Sequence, residues 1–274
     1  MHCGFPLRNA SHPGYCEHCS SEVVAHQRAA GTASKISVGW TLGGAIGVWA
    51  FFTLAILVLP TIAIILGVGL GYIKLSERPE TNLAEPRIIL ILVSSAFVAH
   101  LLTLLMAWNV VTHFRRESFA RAVGWQWHPK FRWPHAVVTV AFFLGAVYGL
   151  SRIVPGGETE FDRLLQTSAS VRIAVAVLAV VTAPLVEELV YRGILYPAVA
   201  ARYGRWVGLV SVAMLFAVVH FQQYGGSRLI LVAITLLSFL LTAVRAFTGK
   251  LLPCYAIHFL YNGTVAALIL LAYP

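Results

Sequence analysis

Long apolar stretches set between short polar ones divide this chain. From Trp40 to Tyr72 almost nothing polar interrupts the sequence. That run of about 33 residues is too long for one minimal membrane span of about 20 and too short for two spans with a turn. The pattern predicts a single tilted helix bent at Pro60. Polar Lys74 to Arg87, KLSERPETNLAEPR, separates it from a second apolar run, Ile88 to Val111. Further runs follow at Ala136 to Ile153, Val171 to Tyr196, Trp206 to Phe221, Leu229 to Phe247 and Leu251 to Tyr273. The fold class expected is all-α: a polytopic membrane helical bundle of about seven transmembrane helices behind a small N-terminal segment resembling a zinc ribbon. Three parts are expected: residues 1–37, a Cys/His-rich segment; residues 38–135, two spans and an interfacial loop; and residues 136–274, a core of further spans.

Composition supports the membrane reading. Of 274 residues, 58% are hydrophobic and 11% charged, against about 25% charged in a soluble domain, and the mean hydropathy is +0.78. The net charge of +9 reflects topology, because the basic residues sit mainly between apolar runs. With the N-terminal segment taken as inside, twelve Lys and Arg fall on that side and seven on the other, with Arg192 left in the membrane. This imbalance places the N-terminus in the cytoplasm of a multi-pass protein of a bacterial cytoplasmic membrane type. Splitting the first run into two spans, eight in all, would reverse the N-terminus relative to the rest. The opening residues do not form a cleavable signal peptide, so the first span is expected to serve for insertion. His113 to His135 interleaves Arg115, Arg116, Arg121, Lys130 and Arg132 with Phe119, Trp125, Trp127, Phe131 and Trp133. Aromatic rings at headgroup level and bases facing anionic lipid suit a bilayer surface better than nucleic acid.

In the N-terminal segment, Cys16 and Cys19 form a CxxC, and Cys3-Gly4 resembles the end of a second such knuckle. Zinc takes four N or S ligands. The expectation is therefore a zinc held by Cys3, Cys16 and Cys19, with the fourth ligand unassigned among His2, His12 and His18. A redox pair and a tail without a metal are the alternatives.

The costly stretch is Val180 to Tyr196, VVTAPLVEELVYRGILY, which puts Glu187, Glu188 and Arg192 into an apolar run. Each charge at a helix centre costs about 2.5 to 3.5 kcal/mol on insertion scales, so three unpaired would cost on the order of 8 to 10 kcal/mol. Glu188 and Arg192, an acid four residues before a base, share a face and can pair. Glu187, rotated about 100° away, has no cation on its own helix. His220 ends FAVVH in a later run; His258 and Asn262 lie in HFLYN of the last, on one face. Lone intramembrane histidines such as His100 and His135 are expected to bond helix to helix. One uncompensated Glu, two His and one Asn supply instead a base, a proton partner or metal ligand, and neutral donors.

EELVYR (Glu187 to Arg192), FAVVH (Phe216 to His220) and HFLYN (His258 to Asn262) resemble, in this order and in separate spans, the EExxxR, FxxxH and HxxxN motifs of the CPBP family of intramembrane proteases. That family includes the eukaryotic type II CAAX prenyl endopeptidases and bacterial relatives linked to bacteriocin immunity. The resemblance covers about Val171 to Pro274. It implies that Glu187 activates water beside His220, that His258 and Asn262 polarise the scissile carbonyl, and that Glu188 and Arg192 support the site. The substrate implied is a membrane-associated protein or peptide, lipid-modified or not. The family is often labelled a metalloprotease. A metal at the catalytic site stays open, since Glu and two His suit zinc but no compact HExxH is present. A non-catalytic binding or immunity protein on the same fold and a proton-coupled transporter are the other readings. Taking Arg202, Arg205 and Lys250 as one interface, Glu187, His220 and Asn262 are expected about 18 to 23 Å from it, with His258 a turn shallower.

Overall fold

The computed structural model describes residues 38–74, 85–113, 118–157, 159, 162 and 168–272. The expected zinc ligands Cys3, Cys16 and Cys19 lie outside them. Three helices begin where a hydroxyl, that of Thr41, Ser168 or Ser227, accepts from a free amide of the first turn. Helix α1, Leu42–Gly69, opens on Thr41, whose hydroxyl accepts from Gly44 N at 3.1 Å. It runs through Pro60 as one helix, about 42 Å long at 1.5 Å per residue. Helix α2, Pro86–Thr112, starts with proline in its first turn and stops at His113, which takes the left-handed conformation. A short helix α3, Phe119–Val123, leads to α4, Trp133–Ser151.

Helix α5 runs 35 residues, Ala169–Tyr203, past the Tyr196 end expected from hydropathy. Two π-helical stretches, Leu178–Thr182 and Glu188–Leu195, lie within it. Pro184 and Pro197 each stand second after one of these stretches, behind Ala183 and Tyr196, whose amides reach back to Leu178 O and Tyr191 O. A proline has no N–H for the regular ladder and its ring crowds the carbonyl four residues back; a wider turn there relieves the crowding. The prolines thus mark where the helix widens rather than where it ends.

Helices α6, Arg205–Val219, and α7, Phe221–Tyr224, follow, then α8, Arg228–Thr248, and α9, Leu252–Ala272. Among the described residues six helices, α1, α2, α4, α5, α8 and α9, are long and apolar enough to cross a membrane. The remaining expected span is α6. With 15 residues it reaches about 22 Å, short of the roughly 30 Å hydrocarbon core.

Apolar packing sets α8 and α9 against α4, and α5 against α2. Ala136, Val140 and Phe143 of α4 meet Leu237 and Leu241 of α8 and Cys254, Ala256 and Ile257 of α9. Ile89 and Val93 of α2 pack on Val171 and Val175 of α5. The interfacial loop docks on the α8–α9 turn, where Leu251 N donates to Gly124 O at 2.9 Å and Trp125 meets the Tyr255 ring. A β-carbon at Gly124 would lie 2.9 Å from the Arg245 guanidinium and 3.0 Å from Gly249 O, and its φ is +71°, so only glycine fits without strain. Arg121, Lys130 and Arg132 remain exposed around it, as a lipid-facing surface requires.

Candidate active site

The two adjacent glutamates of α5 enter different surroundings. Glu188 is fully buried, and so is Arg192, whose Nη1 donates to Glu188 Oε1 at 3.0 Å. Arg192 is held on every side: Nε donates to Thr242 Oγ1 at 3.2 Å, and Nη2 donates to Ser238 Oγ at 2.8 Å and Ser238 O at 3.2 Å. Ser238 in turn donates to Ala213 O of α6 at 3.0 Å. The guanidinium carbon also lies 4.4 Å from the centre of the Phe216 ring, a favourable position for a desolvated cation. One ion pair therefore locks α5, α6 and α8 together.

Glu187 points away from that pair, as the helical repeat requires. Its Oε1 lies 4.0 Å from His220 Nε2 and its Oε2 lies 3.8 Å from His258 Nε2, with the carboxylate 16% exposed. Both rings are pinned through their other nitrogen. His220 Nδ1 is 2.7 Å from Phe216 O, and His258 Nδ1 is 2.9 Å from Glu188 Oε1. A carbonyl and an ionised carboxylate only accept, so each Nδ1 carries the proton and donates it. In the neutral rings, both Nε2 atoms then present lone pairs to Glu187. Three acceptors thus converge on one gap, and only something that supplies protons or positive charge can fill it.

Asn262 lies one turn along α9 from His258, and its Nδ2 donates to Ala179 O at 2.8 Å, inside the first π-helical stretch. This corrects the depth expected from the interface markers. His258, not Asn262, is level with Glu187. The marker count assumed a uniform 1.5 Å rise, and the π-helical stretch Glu188–Leu195, which lies between Glu187 and Arg202, breaks that regularity.

Phe216, the first residue of FAVVH, is the apolar hub. Its ring lies 4.4 Å from that of His220, 6.2 Å from that of His258 and 5.1 Å from that of Tyr191. Of the lone histidines, His100 bonds helix to helix as expected, its Nδ1 lying 2.9 Å from Thr182 Oγ1. His135 does not: its Nδ1 accepts from Arg132 N at 3.2 Å and caps its own helix at the exposed surface. Sequence reading passed over Ser238 and Thr242. Their signal was present, two hydroxyls four residues apart on one face of an otherwise apolar helix.

A carboxylate and two imidazoles are a ligand set that catalytic zinc takes. Among the described residues, however, no three His, Cys, Asp or Glu side chains are grouped closely enough to hold a metal.

No curated protein and no solved structure matches the chain. Residues 169–264 match the family model described as Type II CAAX prenyl endopeptidase Rce1-like. The match spans α5 to most of α9 and contains Glu187, Glu188, Arg192, His220, His258 and Asn262. Among the described residues of this multi-pass membrane protein six helices are long and apolar enough to cross a membrane, and the segment 169–264, which takes in α5, α8 and most of α9, is similar to the type II CAAX prenyl endopeptidase Rce1-like family.

Proposed function

We propose that the protein is an intramembrane endopeptidase that hydrolyses a peptide bond of a membrane-associated protein or peptide, with Glu187 activating the water. The observation that carries this reading is the convergence of the Glu187 carboxylate and the Nε2 atoms of His220 and His258 on one gap. A water fits that gap chemically, giving one proton towards Glu187 and the other to His220 Nε2. Its oxygen lone pair is then free to attack.

Glu187 takes the proton as the water oxygen bonds to the scissile carbonyl carbon, and the carbonyl electron pair moves to oxygen. Once it has taken a second proton from solvent on Nε2, His258 no longer accepts there and donates that N–H to the oxyanion. Glu188 holds the opposite Nδ1–H and stabilises the imidazolium, as a buried carboxylate does for a catalytic histidine elsewhere. The second amide proton of Asn262, the one not given to Ala179 O, supplies a further donor. Such donors act strongly where water is excluded. Glu187 then passes its proton to the amide nitrogen, the oxyanion electron pair re-forms the carbonyl as the C–N bond breaks, and a carboxylic acid and an amine result, the acid giving its proton to the amine so that a carboxylate and an ammonium leave.

The test uses the full chain purified in detergent and incubated with a peptide library containing prenylated and unmodified members, beside Glu187→Ala, with metal content measured on the same samples. Cleavage by the wild type and none by Glu187→Ala is the expected result. Equal cleavage by both removes Glu187 from the mechanism. No cleavage by either, with partner capture intact, favours the binding or immunity reading, and proton flux dependent on Glu187 favours the transporter.

A further inference from the structure

Helices α1 and α2 lie outside the matched segment, yet their polar contacts with α5 fall on its two irregular stretches. His100 of α2 meets Thr182, the last residue of the first. In the second, the Trp49 indole N–H donates to Tyr191 Oη at 3.2 Å, and the Trp40 indole N–H donates to Ile194 O at 3.1 Å. A π-helical turn is uncommon and concentrates at functional sites. Two indoles and an imidazole, from α1 and its entry and from α2, hold these turns from outside.

Tyr191 is the link to chemistry. It follows Glu187 by four residues, is 1% exposed, and turns its ring edge onto Phe216 at 5.1 Å. The Phe216 ring lies 4.4 Å from His220 and its carbonyl holds the His220 Nδ1. A line of contact therefore runs Trp49, Tyr191, Phe216, His220. Packed aromatic rings cannot shift independently. An indole N–H only donates, so Trp49 fixes where the Tyr191 oxygen sits.

We propose that Trp49 is a positioning residue for the hydrolysis, setting the His220 ring against Glu187 through Tyr191 and Phe216. The helices before the matched domain are thus part of the active machinery. This inference rests on the reading of Glu187 and His220 as the water-activating pair.

The test compares wild type, Trp49→Phe, Tyr191→Phe, the double variant and Leu57→Ala, a control on the 55% exposed flank of α1. Trp49→Phe keeps an aromatic ring and removes the donor. Losing one hydrogen bond should lower kcat about five- to tenfold, with KM unchanged. Tyr191→Phe should match it and the double variant should fall no further, because both break one contact. Alongside, the histidine ring signals of labelled protein in micelles are assigned by His220→Asn and His258→Asn. Trp49→Phe should move the His220 signal, which senses the Phe216 ring, and leave those of the surface histidines in place. Leu57→Ala should change neither kcat nor that signal.

An unshifted His220 signal in Trp49→Phe overturns the proposal, as does wild-type kcat or an effect on KM alone. A lowered Tm with kcat and signal unchanged marks a purely structural contact and overturns it too. If the wild type cleaves nothing, the endopeptidase reading fails, and the His220 signal still decides whether Trp49 sets that ring.

Discussion

Two faces of helix α5 carry neighbouring glutamates to opposite ends. On one face Glu188 is sealed between Arg192 of its own helix and His258 of α9, and Arg192 is held in turn by the Ser238 and Thr242 hydroxyls of α8. On the other, Glu187 has no cation on its helix and looks across a gap at two imidazoles. The difference lies in the partners rather than in the charge. Glu188 Oε1 takes both Arg192 and His258 while its buried Oε2 has no hydrogen-bond partner; the pair organises structure, and removing one partner is costly. A group left facing other acceptors is poised for a proton. His258 touches both faces, through Nδ1 on the sealed side and Nε2 on the open one, and so transmits the order of the first to the chemistry of the second.

The harshest way to break this division is Arg192→Ala. It strands Glu188 in a fully buried position, which should cost about 3 to 5 kcal/mol. Expression, Tm and cleavage should all fall; an Arg192→Ala protein as thermostable as the wild type would show that the pair is wet. Next, His220→Ala on the open face should lower kcat by about 10²- to 10⁴-fold, the usual range for a general acid–base partner, while Tm stays close to wild type. Stability loss of the Arg192→Ala size at His220 would move it to the sealed side.

Ser238→Ala probes the edge of the sealed face. Arg192 keeps Thr242 and the Ser238 carbonyl, so the loss should be about 1 kcal/mol by denaturant unfolding, with KM unaltered. A change several times larger would make Ser238 the main anchor of Arg192. Smallest of all for cleavage should be Cys16→Ser. We expect the full chain to bind about one zinc through Cys3, Cys16 and Cys19, and Cys16→Ser to release it with kcat unchanged. Zinc retained by Cys16→Ser and lost by His220→Ala would instead place the metal at the open face.

The apolar runs made most of the fold legible, because a bilayer demands about 20 unpolar residues per helix and tolerates little else. Charge spacing made the Glu188–Arg192 pair legible and set Glu187 apart from it, since residues four apart share a face and neighbours do not. The widened turns were not read, although Pro184 and Pro197 signalled them; Pro60 alone was read, as a bend. That omission is why the level of His258 against Asn262 came out a turn astray. Nor could spacing reveal Trp49 or His100 as neighbours of α5, because contacts between helices so distant in sequence depend on how α1 and α2 lean on it.

The division of labour between the two glutamates is tested most directly by one paired measurement, cleavage rate and Tm of Glu187→Gln and Glu188→Gln in the same membrane mimic. Glutamine keeps the shape and removes the charge in both. The account predicts no detectable cleavage with wild-type Tm for Glu187→Gln, and a lowered Tm with residual, slowed cleavage for Glu188→Gln. Wild-type cleavage by Glu187→Gln, or the two patterns exchanged, would contradict it.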